Sequence, residues 1–373
     1  MGRIDKSSIV PRYFQLKELL KEEIIAGRWV PGEKIATEKE LIKEYDCSLI
    51  TVNKAVSKLV EEGYVFRERG RGTFVSPRSL WGKANEPIVL KLIGMVVPNV
   101  SNEFGRTIVR GVEDYLHSKG YSLILGNHDQ SFEKAMDYIS LLLKKHIDGI
   151  IISPIVGENY EEKNARILKK LINRDVPFVL VDKYLCNMDC SYVVSDSLVS
   201  SYKITTNLIK SGHQKIAVLS GLHCSSFEDR LAGYKNALSE NNIQFDPDLV
   251  FECDERRIDA GDIEMIIKFL ETNPSFTAIF TFNATLAKGA ILALERLGKR
   301  VPGDITLVTY DNHILPHLAE TLFTRIDQPI YKMGEKAAEV LIQMIEKGIR
   351  KPKKIILKSE ILSGKFDSIT ISS

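Results

Sequence analysis

The stretch YVFRERGRGTFVS, Tyr64 to Ser76, sets Arg67, Arg69 and Arg71 beside Gly70 and Gly72, between two short apolar runs. Short apolar runs around a glycine-containing centre predict a β-hairpin, here with a cationic tip. Standing alone, such a tip is a solvated turn. What precedes it changes the reading. In PRYFQLKELLKEEIIAG, Tyr13, Leu16, Leu20 and Ile24 share one helical face and Gly27 lies just past the end. VPGEKI reads as a turn. Thr37 and Glu40 of TEKELIKEY stand at capping-box spacing, so a short helix begins there. Asp46 and Cys47 make a tight turn, and Ser48 is the candidate N-cap of a third helix. That helix buries Val52, Val56, Leu59 and Val60 and stops at Gly63. Three helices followed by a hairpin make a winged helix-turn-helix over residues 1–76.

That order explains the arginines. In such a unit the second helix of the turn enters the major groove of double-stranded DNA, and the hairpin tip lies against the backbone or in the minor groove. Glycines let the tip approach the sugar-phosphate, and cations replace counterions there. Ser48 and Thr51 at the helix start are candidates for phosphate contacts, and Asn53 and Lys54 are best able to reach base edges. The alternative is a solvated helix face on a winged helix that binds protein.

Residues 11–75 resemble the DNA-binding domain of the GntR family, matching P-x-Y-x-Q, PGEKI, TEKEL, TVNKA, LVEEGYV and RGRGTFV in order. The resemblance implies DNA contacts at Lys39, Ser48, Thr51, Asn53, Arg69 and Gly70, with Arg67 and Arg71 beside them on the wing. The family commonly has Arg-Thr after the N-cap, where this chain has Leu49 and Ile50. Two apolar residues cannot hydrogen-bond a guanine but can pack on thymine methyl groups, so the operator sequence stays open.

SPRSLWGKANEP is polar and turn-rich and marks a linker over 77–88. Beyond it, apolar runs (LKLIGMVV, YSLILGN, DGIIIS, PFVLVD, KIAVLSG, TAIFTF, ITLVTYD) alternate with amphipathic helices. This is the α/β pattern of parallel sheets covered on both faces. Residues 89–373 suffice for two doubly wound subdomains, one over about 89–194 plus 328–350 and the other over about 195–326 plus 353–373. Ligands of such sheets bind at the carboxyl ends of the strands. Those ends carry Asn102 and Phe104, Asn127 and Asp129, Asp182, Asp196, Asn283 and Asp311, with Arg230 opening a helix. Singly, each serves as a cap or turn residue, and capping accounts for Asp129 and Asp196. Together, carboxylates, amides and a guanidinium around an aromatic ring suit a small polyhydroxylated ligand, because each sugar hydroxyl both donates and accepts.

These segments resemble the effector domain of the LacI family, with its periplasmic sugar-binding fold, through HIDGIIIS, VDKY, SGHQKIAVLSG, RLAGYKNAL and RVPGDITLVTYD. By that resemblance Phe104, Arg230, Asn283 and Asp311 map to ligand-contacting positions, with Asn102, Asn127 and Asp129 near them. The family usually reads Asn-Asp where this chain has Asn283-Ala284. A GntR-type reader on a LacI-type sensor resembles the arabinose-repressor subfamily. It implies a ligand-responsive regulator, a homodimer on operator DNA, with a sugar, an arabinose-like pentose foremost, as effector; a nucleobase fits the same fold. The LacI hinge helix has no counterpart in the linker.

Composition agrees with this and excludes other classes. The chain of 373 residues is 44% hydrophobic and 27% charged, as ordinary globular proteins are. Residues 1–80 carry 15 Lys+Arg against 12 Asp+Glu, and the rest 36 against 37, so the small net charge of +2 leans to the N-terminus. No apolar run reaches membrane-spanning length and the first residues lack a secretory apolar core, so a cytoplasmic protein without membrane contact is expected. Five cysteines without C-x-x-C spacing fit a reducing compartment. His313 and His317 have metal-pair spacing, but Pro316 intervenes and no carboxylate supports them. No P-loop, nucleophile–base pair or cofactor motif stands out, so neither cofactor nor catalysis is expected. An aminotransferase-like enzyme fused to the reader is the alternative from another class, and needs more residues than remain.

Overall fold

The computed structural model describes residues 4–5, 8, 10–68, 70–82, 91–311 and 323–364. The chain divides into two units, Met1–Leu90 and Lys91–Ser373.

The first unit holds α1 (Arg12–Ile25), α2 (Glu38–Tyr45), α3 (Leu49–Glu61) and the hairpin β1 (Val65–Glu68) and β2 (Gly72–Val75). Its boundaries follow from local chemistry. The Glu40 carboxylate accepts from the Thr37 N–H at 2.7 Å while the Thr37 hydroxyl accepts from the Glu40 N–H, a complete capping box. Asp46, in the left-handed region at φ 47°, ends α2. Ser48 Oγ accepts from the Thr51 N–H at 3.2 Å and starts α3. Leu16, Leu20, Leu41, Val52, Val56 and Leu59 then meet in one buried core.

Two features differ from the sequence reading. After Gly32 turns the chain at φ 86°, VPGEKI does not remain a turn. Val75 N–H donates to Glu33 O at 2.8 Å and Ile35 N–H to Thr73 O at 3.0 Å. The open edge of β2 thus gains a short third strip, as unpaired backbone groups require. The linker also begins later than Pro77. A single turn, Arg78–Leu80, lays Trp81 against Tyr64 with ring centroids 6.0 Å apart, and the indole N–H donates to Ser76 O at 2.8 Å. Covering another aromatic ring gains more for an indole than exposure to water does.

The second unit starts with β3 (Leu92–Val97), α4 (Glu103–Ser118), β4 (Ser122–Asn127), α5 (Phe132–Lys144) and β5 (Gly149–Ile152). It continues through α6 (Tyr160–Ile172), β6 (Phe178–Val181) and β7 (Tyr192–Ser195). The chain then crosses to a second lobe, built from α7 (Ser197–Lys210), β8 (Ile216–Ser220), α8 (Ser225–Glu240), β9 (Val250–Glu252) and α9 (Glu255–Asp259). α10 (Glu264–Thr272), β10 (Ala278–Thr281), α11 (Ala284–Arg296), β11 (Thr306–Tyr310) and β12 (Thr324–Asp327) follow. Finally α12 (Ile330–Lys347) and β13 (Lys354–Leu357) return to the first lobe, and β14 (Glu360–Leu362) pairs with β12 in the second.

The two sheets share one order, β4-β3-β5-β6-β7-β13 and β9-β8-β10-β11-β12-β14, parallel except for β14. Both are covered on both faces. In the first, Ile93, Met95 and Val97 face α4 and α12, while Val96, Ile150 and Ile152 face α5 and α6. This two-sided burial is why the strands read as unbroken apolar runs. α4 and α12 meet closely at glycines: a Cβ on Gly111 would lie 2.1 Å from Tyr331 O, and one on Gly334 2.2 Å from Ile108 O. The sequence reading gives everything from 353 onward to the second lobe. Pairing of Ile355 with Val193 places β13 in the first instead. An alternating Lys354–Leu357 can complete the edge left open by β7, so the last crossing falls after Leu357. Among the described residues no helix is long and apolar enough to cross a membrane.

Candidate DNA-reading face and ligand cleft

On the first unit, α3 carries the candidate reading residues on the side away from its buried Val52, Ala55, Val56 and Leu59. Leu49 and Lys54 are exposed and Asn53 is half-buried. Ser48 and Thr51 hydrogen-bond each other through their hydroxyls at 2.9 Å. The Lys54 ammonium sits 4.1 Å from the centre of the Tyr13 ring, which holds the side chain without neutralising it. Lys39 is exposed on α2. On the wing, Gly70 adopts φ 76° and Gly72 φ 127°, conformations that a side chain disfavours. Arg67 and Arg71 are exposed, Arg71 with Glu68 at 2.5 Å. Arg69 lies outside the described residues. Lys34, on the added strip opposite Phe74, joins the exposed cations of the wing and was not singled out by sequence, since a turn gives no register.

On the second unit, the carboxyl ends of both sheets face one cleft of about 290 Å³. Strand order reverses between β3 and β5 and between β8 and β10, and open α/β sheets bind ligands at such points. Arg230 on α8 is buried and lies 3.6 Å above the Tyr310 ring. Its guanidinium donates to Phe282 O and to Gln328 Oε1, the latter at 3.2 Å. Gln328 Nε2 in turn donates to Asp311 Oδ2 at 2.6 Å, and Ser195 Oγ donates to Gln328 Oε1 at 2.6 Å. A buried cation and a buried carboxylate are therefore joined through one amide, which sits where β12 leads back to the first lobe.

Beside them, Asn283 Oδ1 caps α11 by accepting from Leu286 N–H at 2.9 Å, and its Nδ2 donates to Glu255 Oε1 at 2.7 Å. Ala284 offers no carboxylate here, and Glu255 of α9 supplies one. It comes so close to Gly221 that a Cβ there would lie 2.6 Å from Oε1. Burial raises the Glu255 pKa, with the Asn283 bond and the Lys183 charge acting against it. Lys183 is buried and bonded to Asp182. Burial disfavours its charge, but the Asp182 carboxylate prevails and its pKa is raised. Behind the cleft, His128 is buried, and burial pushes its pKa down to about 4. Its Nδ1 accepts from Gln130 N–H at 3.1 Å, which leaves the Nε2 proton for Ser153 O at 3.0 Å. Between the lobes, Tyr160 donates to Glu228 at 3.0 Å and Tyr184 to Asp229 at 3.0 Å, tying first-lobe segments to α8.

Residues 12–75 match the family described as bacterial regulatory proteins of the gntR type. Residues 91–363 match the periplasmic binding proteins and sugar binding domain of the LacI family. The chain belongs to the GntR and LacI families. It is 30% identical over 362 residues to the arabinose metabolism transcriptional repressor of Geobacillus stearothermophilus, covering 96% of this chain and 98% of that one. It is 35% identical over 263 residues to the transcriptional repressor PurR of Vibrio atlanticus, covering 69% and 75%. A LacI-family regulator from Enterococcus faecium with bound ribose matches with a TM-score of 0.62 and 25% identity, over 74% of this chain and 100% of that one.

Of the cleft residues named from sequence in this LacI-type region, Asn102, Phe104, Asp129, Arg230, Asn283 and Asp311 line the cavity. Asn127 does not line it; its Nδ2 donates to Asp129 Oδ1 at 2.6 Å. Asn102 has its Oδ1 occupied, accepting from Gly105 N–H at 2.8 Å to cap α4. Asp129 is not a cap, since Ser131 caps α5 and Asp129 pairs with Lys134. Asp196 stands at the start of α7 but accepts from Ser359 N–H at 2.8 Å instead. Gln328, Glu255 and Lys183 escaped the sequence reading. Among the described residues no cluster of His, Cys, Asp or Glu is arranged to hold a metal; His313 and His317 lie outside them.

Proposed function

We propose that the protein is an inducible repressor of sugar-utilisation genes, which binds operator DNA as a homodimer and leaves it when a small sugar fills the cleft. The Arg230–Gln328–Asp311 array carries the reading: a cation, an amide and a carboxylate set side by side at the floor of a small cavity. Such a set gives hydroxyls both donors and acceptors, and Phe104 at the wall offers a ring face. An arabinose-like pentose is favoured, supported by the near full-length similarity to an arabinose metabolism repressor and by the ribose in a related fold. The chain works by binding and not by catalysis. The wing, α3 with its Ser48 cap, and Lys39 of α2 contact DNA, through Lys39, Ser48, Leu49, Thr51, Asn53, Lys54, Arg67, Arg69, Gly70 and Arg71.

A thermal-shift panel of L-arabinose, D-ribose, D-xylose and a purine base tests the effector. A ligand at 100 times its dissociation constant should stabilise by about 2.7 kcal/mol. Stabilisation by a pentose supports the reading. A shift with the purine alone replaces the sugar by a nucleobase.

A further inference from the structure

Ile50 is 79% exposed and Leu49 50% exposed. Among the described residues no large hydrophobic side chain is more exposed than Ile50. Both stand in the first turn of α3, next to the Ser48 cap. At 100° per residue Ile50 shares the face of Asn53, Lys54 and Ser57, opposite the buried Val52, Ala55, Val56 and Leu59, while Leu49 flanks that face on the Asn53 side, at the edge of the buried stripe. A β-branched residue in an exposed helix turn is disfavoured intrinsically and gains nothing by burial within its own unit. On the same helix Lys54 is exposed and Lys58 is exposed in a pair with Glu61; α2 exposes Lys39 and Lys43 together with Glu38, Glu40 and Glu44.

We propose that Leu49 and Ile50 read thymine, by packing on its 5-methyl group in the major groove. An apolar pair at the start of a helix that also exposes Lys54, whose ammonium is held over the Tyr13 ring, fits duplex DNA better than a protein face. Phosphates answer the lysines, and the thymine methyl is the apolar group that base edges present in that groove. The pair therefore selects A·T steps at the positions it faces and rejects guanine there, where neither side chain can donate a hydrogen bond to O6 or N7. The inference rests on α3 entering the major groove.

The test starts from a duplex selected by the full-length protein from a randomised pool. It is remade with each thymine replaced singly by uracil, which removes only the methyl group. Gel-shift titration should show about fourfold weaker binding at one or two positions, the scale of one buried methyl. Leu49→Ala or Ile50→Ala should bind the uracil duplex as tightly as the unchanged protein does and should no longer prefer thymine. Both side chains are exposed and alanine favours helix, so folding is not at issue. Lys54→Ala serves as the control. If it weakens binding while uracil and thymine duplexes bind equally, thymine reading is wrong and groove entry stands. If Lys54→Ala has no effect either, α3 does not enter the groove and the proposal falls with it. If Ile50→Ala instead weakens both duplexes alike and lowers the oligomeric mass, the pair packs on a second copy of the chain.

Discussion

Arg230 and Asp311 are both buried, yet no direct contact between them is needed, because Gln328 stands between them with its amide oriented by Ser195. Hydrogen bonds to a charged group are worth about 1.5–3 kcal/mol. Arg230→Ala or Asp311→Asn should therefore lower sugar affinity by roughly 10- to 150-fold while sparing operator binding without ligand, as calorimetry and gel shift can show. Full sugar affinity in both would move the site. His128 gives a separate test through stability. Its folded pKa is lowered from 6.5 to about 4, so the neutral ring favours folding. That contribution is complete above pH 6.5 and is lost as pH falls toward 4; it should shrink by about 2 kcal/mol between pH 7 and pH 5. His128→Gln should flatten this slope by that amount in denaturant melts, leaving the contributions of His213, whose pKa burial also lowers, and of Glu255 and Asp229, whose pKa burial raises. An unchanged slope would show that His128 does not titrate in this window. Arg230 and Asp311 were legible in the sequence, since one opens a helix and the other ends an apolar run. Gln328 and Glu255 were not. Gln328 reaches the cleft only because the chain crosses between lobes there, and Glu255 only because the short α9 follows the edge strand β9.

At the scale of elements, local chemistry made the winged unit readable. The capping box at Thr37, the Ser48 cap and the glycines of the wing each leave a mark within four residues. What could not be read was pairing between distant segments. The strip at Gly32–Ile35 exists because β2 offers an open edge, and β13 joins the first sheet because β7 does. Trp81 in a polar stretch was the one local hint that the linker begins after its first turn. The wing makes its own prediction. Arg67 and Arg71 are both exposed on the hairpin, so changing both to Ala should weaken binding to every sequence. It should also reduce the slope of log affinity against log salt by roughly 2. Gel shifts at two salt concentrations measure this, and an unchanged slope would remove the wing from DNA contact.

The whole molecule joins a GntR-type reader to a two-lobed LacI-type sensor. The lobes are linked by chain crossings near Asp196, at Gln328–Pro329 and after Leu357, and are bridged by Tyr160–Glu228 and Tyr184–Asp229. On the proposed function, a sugar held by both lobes would favour a closed arrangement, and closure would reset the spacing of the two readers in a dimer. If the signal leaves through the linker, Gly-Ser residues inserted between 83 and 88 should loosen the response while sparing both separate binding events. A full response from the lengthened chain would route it through the dimer interface instead. The central claim is that one free energy couples sugar and operator, and it is reciprocal, on the scale of about 1–3 kcal/mol. The direct measurement is the affinity of the full-length protein for its selected operator duplex, with and without saturating arabinose, beside its arabinose affinity with and without that duplex. The account predicts that each ligand weakens the other by the same factor, roughly 5- to 150-fold. Arabinose that binds yet leaves operator affinity unchanged, or tightens it, would contradict it.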